Sequence, residues 1–94
     1  MYLHLGNNTI IRKNDIIGIF DLDNSTISHK TRDFLSEAEK NGKVINVSSE
    51  LPKSFVLCRD NDDFVIYICQ LSPVTLIRRA SQMNIYADQE RNDF

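Results

Sequence analysis

Residues 54–69 read Ser54-Phe55-Val56-Leu57-Cys58-Arg59-Asp60-Asn61-Asp62-Asp63-Phe64-Val65-Ile66-Tyr67-Ile68-Cys69, and this stretch decides the fold. Two runs rich in β-branched and aromatic residues, Ser54 to Cys58 and Phe64 to Cys69, flank the polar stretch Arg59 to Asp63. That is the pattern of two antiparallel strands joined by a turn. A five-residue turn sets Cys58 opposite Phe64, Val56 opposite Ile66 and Ser54 opposite Ile68 on one face. Leu57 opposite Val65 and Phe55 opposite Tyr67 then make the other. Both faces are apolar, so the sheet that holds this hairpin needs a cover on each side.

The flanking segments supply further strands and the covers. Ile16-Ile17-Gly18-Ile19-Phe20-Asp21-Leu22 is too short and too continuous for a surface helix and is expected as a central strand, apolar on both faces, with Gly18 at a bulge or a close approach. Met1 to Leu5 and Thr9 to Arg12 form a first hairpin across Gly6-Asn7-Asn8, and Lys13-Asn14-Asp15 punctuates it. Between Ser25 and Asn41, the residues Ile27, Thr31, Phe34, Leu35 and Ala38 fall in one stripe of about 100° at helical pitch. Asn41-Gly42 is the stop expected just past a helix C-terminus. Lys43 to Val47 reads as a strand, and Ser48-Ser49-Glu50-Leu51-Pro52 as a loop.

Ser72-Pro73 places an N-cap and a first-turn proline before a second helix, Val74 to Ala87, with Leu76, Ile77, Ala80 and Met83 on its inner stripe and Arg78 and Arg79 off it. Asp88 to Phe94 is a frayed polar tail. The expected architecture is α+β: a small twisted, mostly antiparallel sheet with one central helix and a C-terminal helix, forming a single domain over residues 1–87. The doubly apolar strands admit two readings, a monomeric sandwich with one helix on each face, or a sheet partly covered by a neighbouring subunit. Homo-oligomerisation is preferred, because so small a domain has a marginal core of its own.

Length and composition agree with one small domain. The chain has 94 residues, 41% of them hydrophobic, too many for a wholly disordered chain. Its formal charge of −2 is a poor starting point for a protein that coats nucleic acid. Arg59 to Asp63 and Asp88 to Phe94 each carry a net −2, however, which leaves +2 on the remainder. No apolar run approaches the roughly 18 residues of a membrane span, and no basic flank precedes an apolar segment at the N-terminus. A cytoplasmic protein without membrane contact is expected.

Chemistry-bearing constellations are sparse. Cys58 and Cys69 lie about five strand positions apart in the hairpin, beyond the ~7 Å reach of a disulfide, and are expected as reduced thiols, buried or half-buried. With histidines only at His4 and His29 and no Cys-x-x-Cys, the spacing of a zinc site is lacking. Asp60-Asn61-Asp62-Asp63 lacks the glycine and the later glutamate of a calcium loop and reads as a solvated turn. No nucleophile triad is indicated at either histidine by the sequence. The expectation is a protein that is not an enzyme and carries no cofactor or metal. The cations that could meet phosphate are Arg12, Lys13, Lys53, Arg78 and Arg79.

Several segments together resemble a known family: the opening MYLHLGNN, the strand DIIGIFDLD, the helix core TRDFL, the exit NGKVINVS, then PKSFVL and the ending LSPVTLIRRA. In order and spacing, from Met1 to about Ala80, the chain resembles the extracellular matrix regulator RemB family of Gram-positive bacteria. That family is similar to the RemA family of small DNA-binding regulators of biofilm matrix genes. The resemblance implies a LytTR-like β-rich fold, assembly as a closed homo-oligomeric ring, and action at DNA or beside a related regulatory protein. RemA-type proteins place an arginine just before the central strand, where this chain has Asp15, and an arginine-rich loop after the exit strand. Here that loop is Ser48-Ser49-Glu50-Leu51-Pro52-Lys53, in which Lys53 alone matches in charge.

The expected function is therefore transcription regulation of the RemB type by a homo-oligomer, with weak or indirect DNA contact. The rival expectation is an oligomeric protein–protein interaction module that never touches DNA.

Overall fold

The computed structural model describes residues 1–22 and 28–81. In chain order these hold β1 (Tyr2–Gly6), β2 (Thr9–Arg12), a 3-10 turn (Lys13–Asp15), β3 (Ile16–Asp21), α1 (His29–Lys40), β4 (Val44–Asn46), β5 (Ser54–Asp60) and β6 (Asp63–Cys69). A second helix, α2, occupies residues 73–81. The fold is α+β, as expected. The continuation to Ala87, Met83 on its stripe, the tail from Asp88, and the first turn of the earlier helix with Ile27 lie outside the described residues.

Local chemistry explains most boundaries. Asn7 and Asn8 both take positive φ, 52° and 64°, which two-residue hairpin turns of this hand require and asparagine tolerates. Ser28 caps α1 by accepting the Thr31 amide at 3.1 Å, and Gly42, at φ 72°, follows Asn41 at its end. Ser72 caps α2 in the same way through the Thr75 amide at 3.2 Å.

The strands form two sheets, the β1–β2 hairpin and a four-stranded sheet in the order β3-β5-β6-β4. Within the larger sheet β3/β5 and β5/β6 are antiparallel and β4/β6 is parallel. One face carries Val56, Cys58 and Cys69, packed under the hairpin residues Leu3, Leu5 and Ile11 and under Leu76 of α2. The other carries Phe55 and Ile66 beneath Ala38 of α1, with Leu35, Val44 and Ile68 around them. Among the described residues, the requirement for two covers is met by the hairpin plus α2 on one side and by α1 on the other.

Three expectations are corrected. β3 is an edge strand, not a central one: Ile17 is 58% exposed, and the register slips between Ile16 and Gly18 at a bulge. Its apolar run comes from contact with β5 on one side only. The β5–β6 hairpin is paired one residue further along than expected, with Cys58 opposite Val65, Val56 opposite Tyr67 and Ser54 opposite Cys69. Asn61, at φ 57°, allows a two-residue turn closed by Asp60 and Asp63, so the polar stretch is mostly strand. Because strand side chains alternate, this one-residue change moves Cys58 onto the face of Cys69. Ile77, expected on the inner stripe of α2, is 52% exposed.

Candidate nucleic-acid interface

One long-range contact links the two segments that hold four of the five cations singled out in the sequence. Lys13 opens the 3-10 turn after β2, and its Nζ donates to the Ala80 carbonyl of α2 at 3.1 Å, across 67 residues of chain. This strut sets Arg12 and Lys13 beside the last described turn of α2, which bears Arg78 and Arg79. Both arginines are exposed, because Leu76 and Ala80 turn the opposite side of the helix into the core. Arg12 projects from the outer face of the hairpin, opposite Tyr2 in register and next to the exposed pair His4 and Ile10.

The charge there is not uniform. Asp15 Oδ2 lies 4.0 Å from Arg12 Nε, in an exposed pair that contributes little to stability but offsets charge. Lys13 spends one proton on Ala80 and is partly buried, so it acts first as a positioning residue. Lys53 is separate. It precedes β5 at the far end of the sheet, where its amide donates to Cys69 and its carbonyl accepts from Leu22. From there to the level of Ile16, which pairs with Cys58, is on the order of 15 Å along the strand.

The loop before Lys53 holds a polar cleft that sequence reading did not find. It has a volume near 390 Å³ and is lined by Asn7, Ser48, Ser49, Glu50 and Gln70, among others. Asn7 Nδ2 donates to the Val47 carbonyl at 2.8 Å, joining the first hairpin to the end of the exit segment. Ser48 Oγ donates to Gln70 Oε1 at 2.9 Å, and Gln70 Nε2 donates to Glu50 Oε2 at 2.6 Å. Gln70 lies 20 residues from Glu50, so no local pattern could have paired them. This loop carries a carboxylate where phosphate contact would need a cation.

Lys43 and Asp63 are structural. Lys43 forms an ion pair with Asp63 and sits 5.2 Å from the centre of the Phe64 ring, tying β4 to the turn of the β5–β6 hairpin. Hydrogen bonds from Lys43 and from the Phe64 amide hold the Asp63 carboxyl below its ordinary pKa. Cys58 and Cys69 are free and buried, as expected, and burial is the main cause that pushes each thiol up to about 11. The thiolate is the nucleophile, so at pH 8 both should alkylate with iodoacetamide about 100-fold more slowly than in urea-unfolded protein. Rates within a few-fold of the unfolded value would show that one face of the sheet opens to solvent. Among the described residues, no group of three or more His, Cys, Asp or Glu could hold a metal ion, and no helix is long and apolar enough to cross a membrane.

Residues 2–80 match the RemA-like family, described as extracellular matrix regulatory protein A-like. The chain belongs to the RemA-like family. Among curated relatives of this RemA-like chain is Extracellular matrix regulatory protein B of Bacillus subtilis (strain 168). The two are 36% identical over 83 residues, which cover 88% of this chain and 94% of the relative. The match spans every described element, the Lys13 strut and Arg78 and Arg79 included. The sequence resemblance is thus upheld at the level of family.

Proposed function

We propose that this RemA-like chain regulates transcription of extracellular-matrix, or biofilm, genes as a homo-oligomer that contacts DNA through weak contacts repeated in each subunit. The name of the Bacillus subtilis relative supports the regulatory part of this reading. The observation that supports the DNA part is the Lys13–Ala80 strut, which ties the segment bearing Arg12 and Lys13 to the helix turn bearing Arg78 and Arg79. A few cations per subunit bind phosphate weakly, and a homo-oligomer multiplies them along a duplex. Among the described residues, Arg12, Lys13, Arg78 and Arg79 outnumber Asp15 in these two segments. Glu50, in the cleft loop, favours a second reading, in which that loop meets a related regulatory protein while DNA contact is indirect.

Fluorescence anisotropy with labelled duplex DNA at 50 and 200 mM salt tests the proposal. The expected result is measurable binding at the lower concentration that falls steeply at the higher one, with little dependence on sequence. Absence of binding at 50 mM salt would overturn direct DNA contact and leave the partner-mediated reading. Binding insensitive to salt would contradict the phosphate mechanism.

A further inference from the structure

Among the described residues, the face of the main sheet under α1 is incompletely covered. Four strands at about 4.8 Å spacing are wider than one helix of about 10 Å can shield. Leu35 and Ala38 of α1 pack with Phe55, Ile66 and Val44, and on the side toward β3 a groove of about 240 Å³ remains. Phe55 and Leu57 form its floor, and Phe20, Phe34 and Thr31 its walls. Phe20 stacks on Phe55 with ring centroids 4.8 Å apart and is still 44% exposed, and Phe34 is 40% exposed. Lys30, at the first turn of α1, is the one charged residue among the described residues of the lining. Among the described residues it has no hydrogen-bond or ion-pair partner.

Elsewhere on the same chain stands a complementary projection. Leu51 is 77% exposed, more than any other large apolar side chain among the described residues. Pro52 after it stiffens the backbone, and Glu50 before it carries the charge opposite to that of Lys30. The Glu50 amide donates to Ser48 Oγ at 3.1 Å and its carboxylate accepts from Gln70, so the loop is held with Leu51 outward. The Lys53 carbonyl accepts from the Leu22 amide, two residues past Phe20, so projection and groove stand at the same end of the molecule.

We propose that the groove seats the Glu50-Leu51 projection of a second copy of this chain, Leu51 between Phe20 and Phe34 and Glu50 against Lys30. The inference deepens the homo-oligomeric reading above and rests on it. Used reciprocally the contact gives a two-fold pair, and used head to tail it gives a ring or a filament.

Sedimentation velocity over a concentration series tests it, with circular dichroism to confirm folding, since Lys30, Glu50 and Leu51 are all exposed. Lys30→Glu and Glu50→Lys should each weaken self-association about tenfold or more, and the double exchange should restore it to near the wild-type value. Leu51→Ser should weaken association without being rescued by any charge exchange. A wild-type chain that stays monomeric at 100 μM would overturn the homo-oligomeric reading and this interface with it. A wild-type oligomer that the single variants leave intact, or that the double exchange fails to restore, would overturn this interface alone.

Discussion

Replacing Leu76 with alanine is expected to lower the unfolding free energy by about 3 kcal/mol, with a fall in midpoint temperature of roughly 15 °C. Leu76 is fully buried, and among the described residues of α2 no other side chain is. It packs in the cluster with Leu3, Leu5, Ile11, Val47 and Val56, where the first hairpin, the main sheet and α2 meet. Truncation removes buried methyl groups and leaves a cavity among three elements that cannot all close over it. A domain of this size is stable by only about 5–15 kcal/mol, so the loss is a large fraction of the total. Urea titration followed by circular dichroism reads the effect. Val74→Ala, at a position 63% exposed on the same helix, should change stability by less than about 0.5 kcal/mol. A Leu76→Ala loss below about 1 kcal/mol would mean that α2 does not dock as described.

The second large effect concerns DNA. Arg78→Ala combined with Arg79→Ala should weaken duplex binding by roughly tenfold or more per engaged subunit, because each charge-assisted phosphate contact contributes on the order of 1 kcal/mol or more. The loss should be about uniform across sequences, and the slope of log affinity against log salt should flatten by close to two for each subunit that touches the duplex. Lys13→Ala should also weaken binding by releasing the strut to Ala80, whereas Lys53→Ala, at the far end of the sheet, should leave affinity within about twofold. Anisotropy titrations at several salt concentrations measure all three. Unchanged affinity in the double arginine variant would shift the contact to Arg12 and Lys13 and remove α2 from the interface.

Much of the architecture could be read from local pattern. Asn7-Asn8, Ser28, Gly42 and Ser72-Pro73 mark turns and helix ends because each acts on backbone groups only a few residues away. The strands were legible from their β-branched runs. The candidate site was legible only as residue types: Arg12, Lys13, Arg78 and Arg79 were identifiable as cations, but nothing in sequence says that Lys13 reaches Ala80 or that Lys53 lies apart. The error in the β5–β6 register came from one residue. Whether Asn61 adopts positive φ decides between a five-residue loop and a two-residue turn, and its neighbours in sequence do not settle that. The cleft around Glu50 and Gln70, and the groove between α1 and β3, are made wholly by distant segments.

By itself, then, the sequence determined an α+β fold, its caps and turns, two sheet faces that both demand cover, and membership of the RemA-like family. Those follow from propensity, periodicity and charge acting over a few residues, and from similarity along residues 2–80. Only the tertiary structure decided that β3 is an edge, that among the described residues one helix lies over one face of the four-stranded sheet, and that Lys13 reaches Ala80 of α2. The reason is that strand order, burial and long-range hydrogen bonds depend on which segments meet in space, and that competition is resolved only when the whole core packs.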